Sequence, residues 1–301
     1  MEYQSGAVSP VESISEGWNI IKGNYWLFFG MTFLALIILF AAAMIFGFVN
    51  NLISAGIALA FGAAAQNTGD AGKTAAAIIP QLIASFIGIF TNIIVATISG
   101  ALFCGIYSAL ARQADSGTAE FGDLFTGFQK IMPCLIVAVV MSIIQFVVGA
   151  VFIVGGAAVG ISAFGLGMFT KNGQIDPAVF GGLFLVIMVF VIAYTIFSLI
   201  LSALTSFTYP LITDRNLSGG QALLLSAKSG LANIGGMILL LILLGLMAFG
   251  GALLCLVGIF FVMPVISAAL FAAFRRVFVK GQDFRQYNPP APPNFGQQGG
   301  Y

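Results

Sequence analysis

The stretch SPVESISEGWNIIKGNYWLFFGMTFLALIILFAAAMIFGF, residues 9–48, joins an amphipathic segment to a long uncharged one. Its first four residues have the form of a capping box, with proline at the first helical position. Apolar residues then recur at three- and four-residue spacing, which predicts one apolar helix face. These residues are Val11, Ile14, Trp18, Ile21 and Tyr25. The following uncharged run of about 25 residues is long enough to cross a membrane, so the stretch predicts an interfacial helix leading into a span.

The composition of the whole chain excludes a soluble domain. Of its 301 residues, 60% are hydrophobic and 7% are charged, whereas soluble domains carry roughly a quarter charged residues. The net charge of +1 gives no basis for binding nucleic acid, and we predict no such partner. No basic residue precedes Lys22 and the first apolar run is too long for a signal peptide, so we expect the first span to be an uncleaved signal-anchor.

The pattern of an amphipathic segment before a span occurs three times. The segment 118–131 has phenylalanines on one predicted face, and residues 218–221 form a second capping-box pattern. The separation from the predicted cap to the span start is fifteen residues in all three copies: Ser9 to Asn24, Thr118 to Pro133, and Ser218 to Asn233. Hydrophobic self-similarity is common to multi-span proteins and explains the apolar runs, but less readily this spacing. We predict three repeats of an interfacial helix and a spanning hairpin, at 9–112, 118–215 and 218–280.

The positions of the charged residues predict six spans and their orientation. Uncharged intervals place the spans at 24–49, 82–111, 131–153, 181–213, 232–250 and 256–279. With the N-terminus inside, nine of the eleven basic residues are cytoplasmic, and only Lys73 and Lys171 are outside. The positive-inside rule therefore predicts that both termini are cytoplasmic. The expected fold is an all-α polytopic membrane helical bundle over residues 9–285.

Segments outside these spans carry further expectations. Residues 1–8 are a short N-terminal tail, and the Pro-, Gln- and Gly-rich residues 286–301 predict a disordered cytoplasmic tail. The first two hairpins contain more apolar sequence than a bilayer needs, which we expect to form tilted ends, short outer helices, re-entrant pieces or an oligomer contact. Pro210 and Pro264 are expected to kink their spans.

A search for catalytic chemistry finds none in the sequence. The interiors of the predicted spans contain no Asp, Glu, Lys or Arg, and the chain has no histidine. Acid–base catalysis, metal binding and ion-coupled transport normally need such groups. Cys104, Cys134 and Cys255 are widely spaced and are interpreted as small, singly buried apolar residues. We therefore predict a protein that is not an enzyme, with no catalytic residue, metal or cofactor.

Neutral polar residues within the spans leave two interpretations open. They are Gln145, Ser198, Ser202, Thr205 and Thr208. They could line a cavity for an uncharged solute, or simply make hydrogen bonds between helices, as polar residues in membrane bundles usually do. Spacing alone does not choose between these interpretations.

Aromatic residues near the predicted span ends favour the headgroup region of a bilayer, which makes membrane lipids the expected partners. We predict five interfacial anchors: Trp18, Tyr25, Trp26, Phe121 and Phe125.

Two junction sequences resemble those of a widespread class of uncharacterised bacterial six-span membrane proteins. They are ISEGWNIIKGNYW at residues 14–26, and YPLITDRN at residues 209–216 followed by Ala222 and Ser226. A similar membrane region is fused to some glycerophosphodiester phosphodiesterases. The resemblance covers residues 9 to 280 and implies a bacterial inner-membrane location without an established activity. The catalytic phosphodiesterase domain has no counterpart in this sequence, so no enzymatic role is implied.

These observations lead to two functional hypotheses. The first is a non-enzymatic membrane protein that organises the membrane or binds lipid or a partner protein. The alternative is a permease or channel-like protein for an uncharged or hydrophobic solute, using the neutral polar residues. A membrane-protein partner or a homo-oligomer is compatible with both.

Overall fold

The computed structural model describes residues 3–65, 69–164, 177–254 and 257–279, and all regular structure in these ranges is helical. Six helices are long and apolar enough to cross a membrane by length and composition, which confirms the predicted all-α class. Short 3₁₀ segments, Lys22–Asn24 and Gly127–Lys130, precede α2 and α5. The α-helices are α1 (Pro10–Ile21), α2 (Tyr25–Ala65), α3 (Asp70–Ser116), α4 (Asp123–Thr126), α5 (Ile131–Phe164), α6 (Pro177–Thr205), α7 (Thr208–Arg215), α8 (Gly219–Ala232), α9 (Ile234–Leu253) and α10 (Val257–Val277).

The first two hairpins are longer than the predicted spans. Helices α2 and α3 have 41 and 47 residues, so each is about 60 to 70 Å long. The extra apolar sequence therefore continues these helices and does not form separate outer pieces. Alanine-rich composition at the end of α2 and at the start of α3 favours helix, which explains the extension. Residues 165–176, between the predicted third and fourth spans, lie outside the described residues.

The three hairpins pack in a ring. Helix α2 pairs with α3, α5 with α6, and α9 with α10. The second helix of each hairpin also contacts the first helix of the next, as α3 contacts α5 and α6 contacts α9. Helix α10 contacts α2 in turn, which closes the ring.

The three amphipathic segments occupy corresponding places in this ring. Helix α1 packs on α10, α4 and its 3₁₀ extension pack on α3, and α8 packs on α6. In each contact a glycine meets the backbone of the spanning helix so closely that a Cβ would not fit. The glycines are Gly17 on Ala269, Gly127 on Ala101, and Gly230 on Ala203.

Buried side chains concentrate at one end of the molecule. Tyr107, Phe207, Phe271, Phe274 and Phe278 are all buried there and pack ring against ring. We call this the basic end, because it carries the arginines of α3, α7 and α10. The far halves of the long hairpins expose apolar side chains instead.

Two details of the amphipathic segments differ from the predictions. Neither Ser9 nor Ser218 makes a side-chain cap, although Pro10 begins α1 as expected. Of the predicted apolar stripe of α1, Ile21 is buried, whereas Val11 and Trp18 are 71% and 45% exposed; Ser13 and Gly17, outside the stripe, are buried as well. Small residues face α10 because only they let the two backbones approach.

The predicted helix over 118–131 is wrong. The chain instead forms turns, the four-residue α4 and a 3₁₀ segment. Asp123 is buried, and its carboxylate accepts hydrogen bonds from Arg112 and from the backbone of Glu120. These contacts and the close approach of Gly127 to α3 hold the segment in this irregular shape.

The predicted fourth span over 181–213 is broken. Helix α6 ends at Thr205 and α7 begins at Thr208. Pro210 lies in the first turn of α7, where no backbone donor is needed, and so it does not kink a continuous helix. Ser226 of α8 satisfies two backbone groups at the break: its hydroxyl accepts from Phe207 N at 3.2 Å and donates to Leu204 O at 2.7 Å.

Candidate functional site

A small cavity of about 80 Å³ lies between α5 and α6. Four of the five predicted polar residues line it: Gln145 from α5, and Ser198, Ser202 and Thr205 from α6. The spacing of the three hydroxyl residues places them on one face of α6, opposite Gln145. We call this the polar cavity.

The polar cavity retains hydrogen-bonding capacity. The Thr205 hydroxyl donates to Leu201 O at 2.9 Å within its own helix. Within the described ranges, Gln145, Ser198 and Ser202 have no side-chain hydrogen bond to another residue. Gln145 and Ser202 are also exposed. These groups can therefore accept or donate to a bound molecule.

Thr208 does not join the other four residues. Its side chain is 1% exposed, and its hydroxyl oxygen lacks a hydrogen-bond partner among the described residues. The break at Ser206 and Phe207 separates Thr208 from the face of α6 that carries Thr205. Continuous helical spacing, on which the prediction relied, does not extend across this break.

An apolar groove lies next to the polar cavity. It has a volume of about 520 Å³, and Tyr194 lines both spaces. The groove lies between glycines of α5 and aromatic or branched residues of α6, which are Gly149, Phe152, Ile153, Gly156, Val186, Ile187, Phe190, Val191 and Tyr194. The Phe152 ring stands edge-on to Phe190 and Tyr194, with centroid distances of 6.2 and 5.5 Å. We call this space the apolar groove.

The two spaces lie at different depths along α5. Gln145 is about 21 Å from the helix start at Ile131, and Gly149 to Gly156 are about 27 to 38 Å from it. The apolar groove therefore lies farther from the basic end than the polar cavity does.

The basic end beyond Thr205 is filled by side chains. Phe207 and Phe274 are buried with ring centroids 6.2 Å apart, and Phe278 packs on Phe274 at 5.2 Å. Phe207 of this aromatic cluster follows Thr205, the last cavity residue of α6, by two positions in the chain.

The predicted interfacial anchors differ in their exposure. Trp18, Trp26, Phe121 and Phe125 all expose their rings. Tyr25 is instead partly buried, and its hydroxyl donates to Phe261 O at 2.7 Å. This hydroxyl is therefore engaged within the protein and is not free for a lipid headgroup.

Ion pairs at the basic end were not predicted from the sequence. Arg276 of α10 contacts Glu12 at 2.5 Å and Glu16 at 2.6 Å, which ties α1 to α10. Arg275 contacts Asp115 at 2.7 Å, which ties α10 to α3. Since the partners are far apart in sequence, residue spacing gave no signal for these pairs.

The prediction that the cysteines lie singly is wrong for two of them. The Sγ atoms of Cys104 in α3 and Cys134 in α5 are 3.6 Å apart, and both residues are buried. Cys255 lies outside the described residues. In the described part of the chain, no group of three or more His, Cys, Asp and Glu residues is placed to hold a metal ion.

Neither a protein-family model, nor a curated protein, nor a solved structure matches this chain. Its function must therefore be inferred from its own residues.

Proposed function

We propose that this protein is a multi-pass membrane protein that binds a membrane lipid between α5 and α6. The observation that carries this proposal is that the polar cavity and the apolar groove are neighbours, with Tyr194 lining both. An acyl chain would occupy the apolar groove, and a hydrogen-bonding group of the lipid would reach Gln145 and Ser202.

The dimensions and surroundings of the site support this occupant. A volume of about 520 Å³ falls in the range of 300–1,000 Å³ usual for small-molecule sites, which are mostly apolar with a few polar groups. The side chains on α5 and α6 around the groove are largely exposed, and these helices are apolar enough to lie in a bilayer. A lipid is therefore the molecule present at the highest concentration beside the groove.

The filled basic end favours binding over passage. A permease for an uncharged solute would need a path past Phe207 and Phe274, where the rings are packed. We accordingly propose a non-enzymatic role in binding lipid, and keep solute passage as the competing outcome of the tests below.

We further propose a bacterial inner-membrane location with both termini cytoplasmic. The grouping of Arg112, Arg215, Arg275 and Arg276 at one end supports this orientation through the positive-inside rule. The threefold recurrence of a glycine contact between an amphipathic segment and a span supports three internal repeats.

The test is photo-crosslinking of the full-length protein in vesicles that contain a phospholipid with a diazirine on its acyl chain. We expect crosslinks on the groove residues of α5 and α6. Gly149→Leu should reduce them several-fold because its side chain would fill open space in the apolar groove. Gly245→Leu on α9 is the matched control, since a Cβ there also meets no neighbour within 4 Å. Equal crosslinking in both variants would refute the proposal.

The polar cavity is tested separately by Gln145→Leu. Loss of one hydrogen bond of about 1 kcal/mol should weaken retention of the lipid about fivefold. Thr195→Val is the control, because the Thr195 hydroxyl donates to Val191 O in its own helix. Single cysteines at Gln145 and Ser202 distinguish passage from binding: labelling by membrane-impermeant thiol reagents would indicate a hydrated path and favour a permease.

A further inference from the structure

The two buried cysteines at the basic end carry an inference that is independent of lipid binding. Cys104 and Cys134 come from different hairpins, and their Sγ atoms are in contact at 3.6 Å. We propose that they form a dithiol that hydrogen peroxide converts reversibly to a disulfide. In this reaction Cys104 is the residue attacked first, and Cys134 completes the bond.

A cavity borders one of the two cysteines, and we propose that it gives small molecules access to that sulfur. It has a volume of about 100 Å³, and Cys104 is among its lining residues whereas Cys134 is not. The remaining lining is mostly polar, and consists of Ser108, Thr126, Gly127, Gln129, Lys130 and Thr213. We call this the thiol cavity. Gln129 is exposed, so the thiol cavity adjoins solvent at the basic end.

The size of the thiol cavity selects the oxidant. One water molecule occupies roughly 30 Å³ in the liquid, so a space of about 100 Å³ admits hydrogen peroxide. A bulky disulfide such as oxidised glutathione is far too large to reach Cys104. Lys130 lines the same space while its ammonium group donates to Asn216 Oδ1, and a neighbouring cation favours the reactive thiolate form of a cysteine.

The proposed chemistry proceeds in two balanced steps. The Cys104 sulfur attacks one oxygen of hydrogen peroxide, so that an S–O bond forms, the O–O bond breaks and one water leaves. The Cys134 sulfur then attacks the sulfenic sulfur of Cys104. An S–S bond forms, the S–O bond breaks, and a second water leaves with the thiol proton. The cysteines are oxidised by two electrons, and the peroxide is reduced.

Closing the bond requires only a local movement. A disulfide has an S–S distance of about 2.05 Å, so the sulfurs must approach by about 1.6 Å. The new bond would join α3 to α5, and thus the first hairpin to the second. Tyr209 of α7 packs at the same junction, where its ring lies against Gly100 beside Cys134. Oxidation would therefore link α3 to α5 covalently at the place where α7 packs on them.

The test uses the full-length protein in vesicles, exposed to hydrogen peroxide, denatured, and labelled with a polyethylene-glycol maleimide. The chain has three cysteines, so the reduced protein should take three labels and the oxidised protein one. Cys255→Ala should take two labels before peroxide and none after it. A thiol reductant should restore all labels.

The order of reaction is tested by trapping sulfenic acid with dimedone. Cys134→Ala should accumulate the dimedone adduct on Cys104, and Cys104→Ala should give neither adduct nor disulfide. Three labels remaining on the wild-type protein after peroxide would overturn the proposal. The proposal would also be overturned if peroxide reduced maleimide labelling in the wild-type protein but not in Cys255→Ala. A dimedone adduct that forms only on Cys134 would overturn it too.

Discussion

Gly17 of α1 rests on the backbone of Ala269 in α10, so closely that a Cβ at Gly17 would lie 2.5 Å from the Ala269 nitrogen. The contact is part of a recurring arrangement. Gly127 meets the Ala101 oxygen, and Gly230 meets the Ala203 oxygen at 2.8 Å from an added Cβ. Each amphipathic segment is thus held on a span at a site where only glycine fits.

Gly17→Ala should destabilise the protein. The added methyl meets the backbone of α10, which cannot move aside as a side chain can, so α1 must shift outward. Overpacking of this kind costs about 1–3 kcal/mol. The measurement is thermal unfolding in detergent, followed by tryptophan fluorescence, to which Trp18 on α1 contributes.

Gly23→Ala is the control for this substitution. A Cβ at Gly23 would meet nothing within 4 Å, and the residue lies in the 3₁₀ segment after α1. Replacing an exposed helical glycine by alanine stabilises by about 0.5–1 kcal/mol. The two variants should therefore shift the melting temperature in opposite directions, and equal shifts would contradict the importance of the Gly17 contact.

The contrast between Gly17 and Trp18 explains which part of the fold was predictable. Apolar run length predicted six membrane-length helices, because that signal depends only on local composition. Periodicity predicted one apolar face on α1, of which Ile21 is buried in the protein whereas Val11 and Trp18 are exposed; Ser13 and Gly17, which lie outside that pattern, are buried as well. In a membrane, apolar side chains can face lipid, and close backbone approach decides the protein contact. Hydrophobic patterning therefore gives little information on which apolar residues face lipid and which contact the protein.

The candidate site was predictable to a similar degree. Ser198, Ser202 and Thr205 share a helix face by their spacing, and the structure brings them to Gln145. Thr208 was misplaced because nothing in the apolar pattern indicates the break before α7. The contact between Cys104 and Cys134 depends on the packing of α3 against α5, which no local pattern specifies.

Removal of the Arg276 guanidinium should loosen α1. Arg276→Met leaves Glu12 and Glu16 without their partner on α10. Because all three groups are partly exposed, we expect a loss of about 1 kcal/mol that decreases with added salt. Lys228→Met is the control, since no ion pair to Lys228 is found in the described ranges. Hydrogen exchange of the α1 amides should increase only in Arg276→Met.

The ion pair between Glu16 and Arg276 predicts a pH dependence of the protein's stability. Hydrogen bonding to Arg276 lowers the pKa of the Glu16 carboxyl from its ordinary value. Because the folded-state pKa is the lower one, the stabilisation is present above the ordinary pKa and is lost as the pH falls through the folded-state pKa. Glu16→Gln should remove this dependence, and an unchanged acid limb of the stability profile would contradict the assignment.

Ser226→Ala should destabilise the break between α6 and α7. It leaves Phe207 N and Leu204 O without the hydroxyl that satisfies both. An unsatisfied buried polar group costs about 1–3 kcal/mol. Ser229→Ala is a matched control on the same helix, because Ser229 is equally buried but donates only to Ser226 O in its own helix. A smaller loss in Ser226→Ala than in Ser229→Ala would refute this role.

Asp123→Asn should disrupt the irregular segment before α5. Asp123 is 4% exposed; one carboxylate oxygen accepts from Arg112 at 2.5 Å and the other from Glu120 N at 2.9 Å. An amide can replace only one of these acceptors and places its NH₂ group against a donor, so the melting temperature should fall by several degrees. Glu120→Gln is the control, because its contact with Arg112 is longer, at 3.2 Å, and largely exposed to solvent. If the contacts of Asp123 hold this segment in place, only Asp123→Asn should increase proteolysis between α3 and α5. Cleavage of both variants at equal rates would indicate that the contact of Gly127 with α3 holds the segment instead.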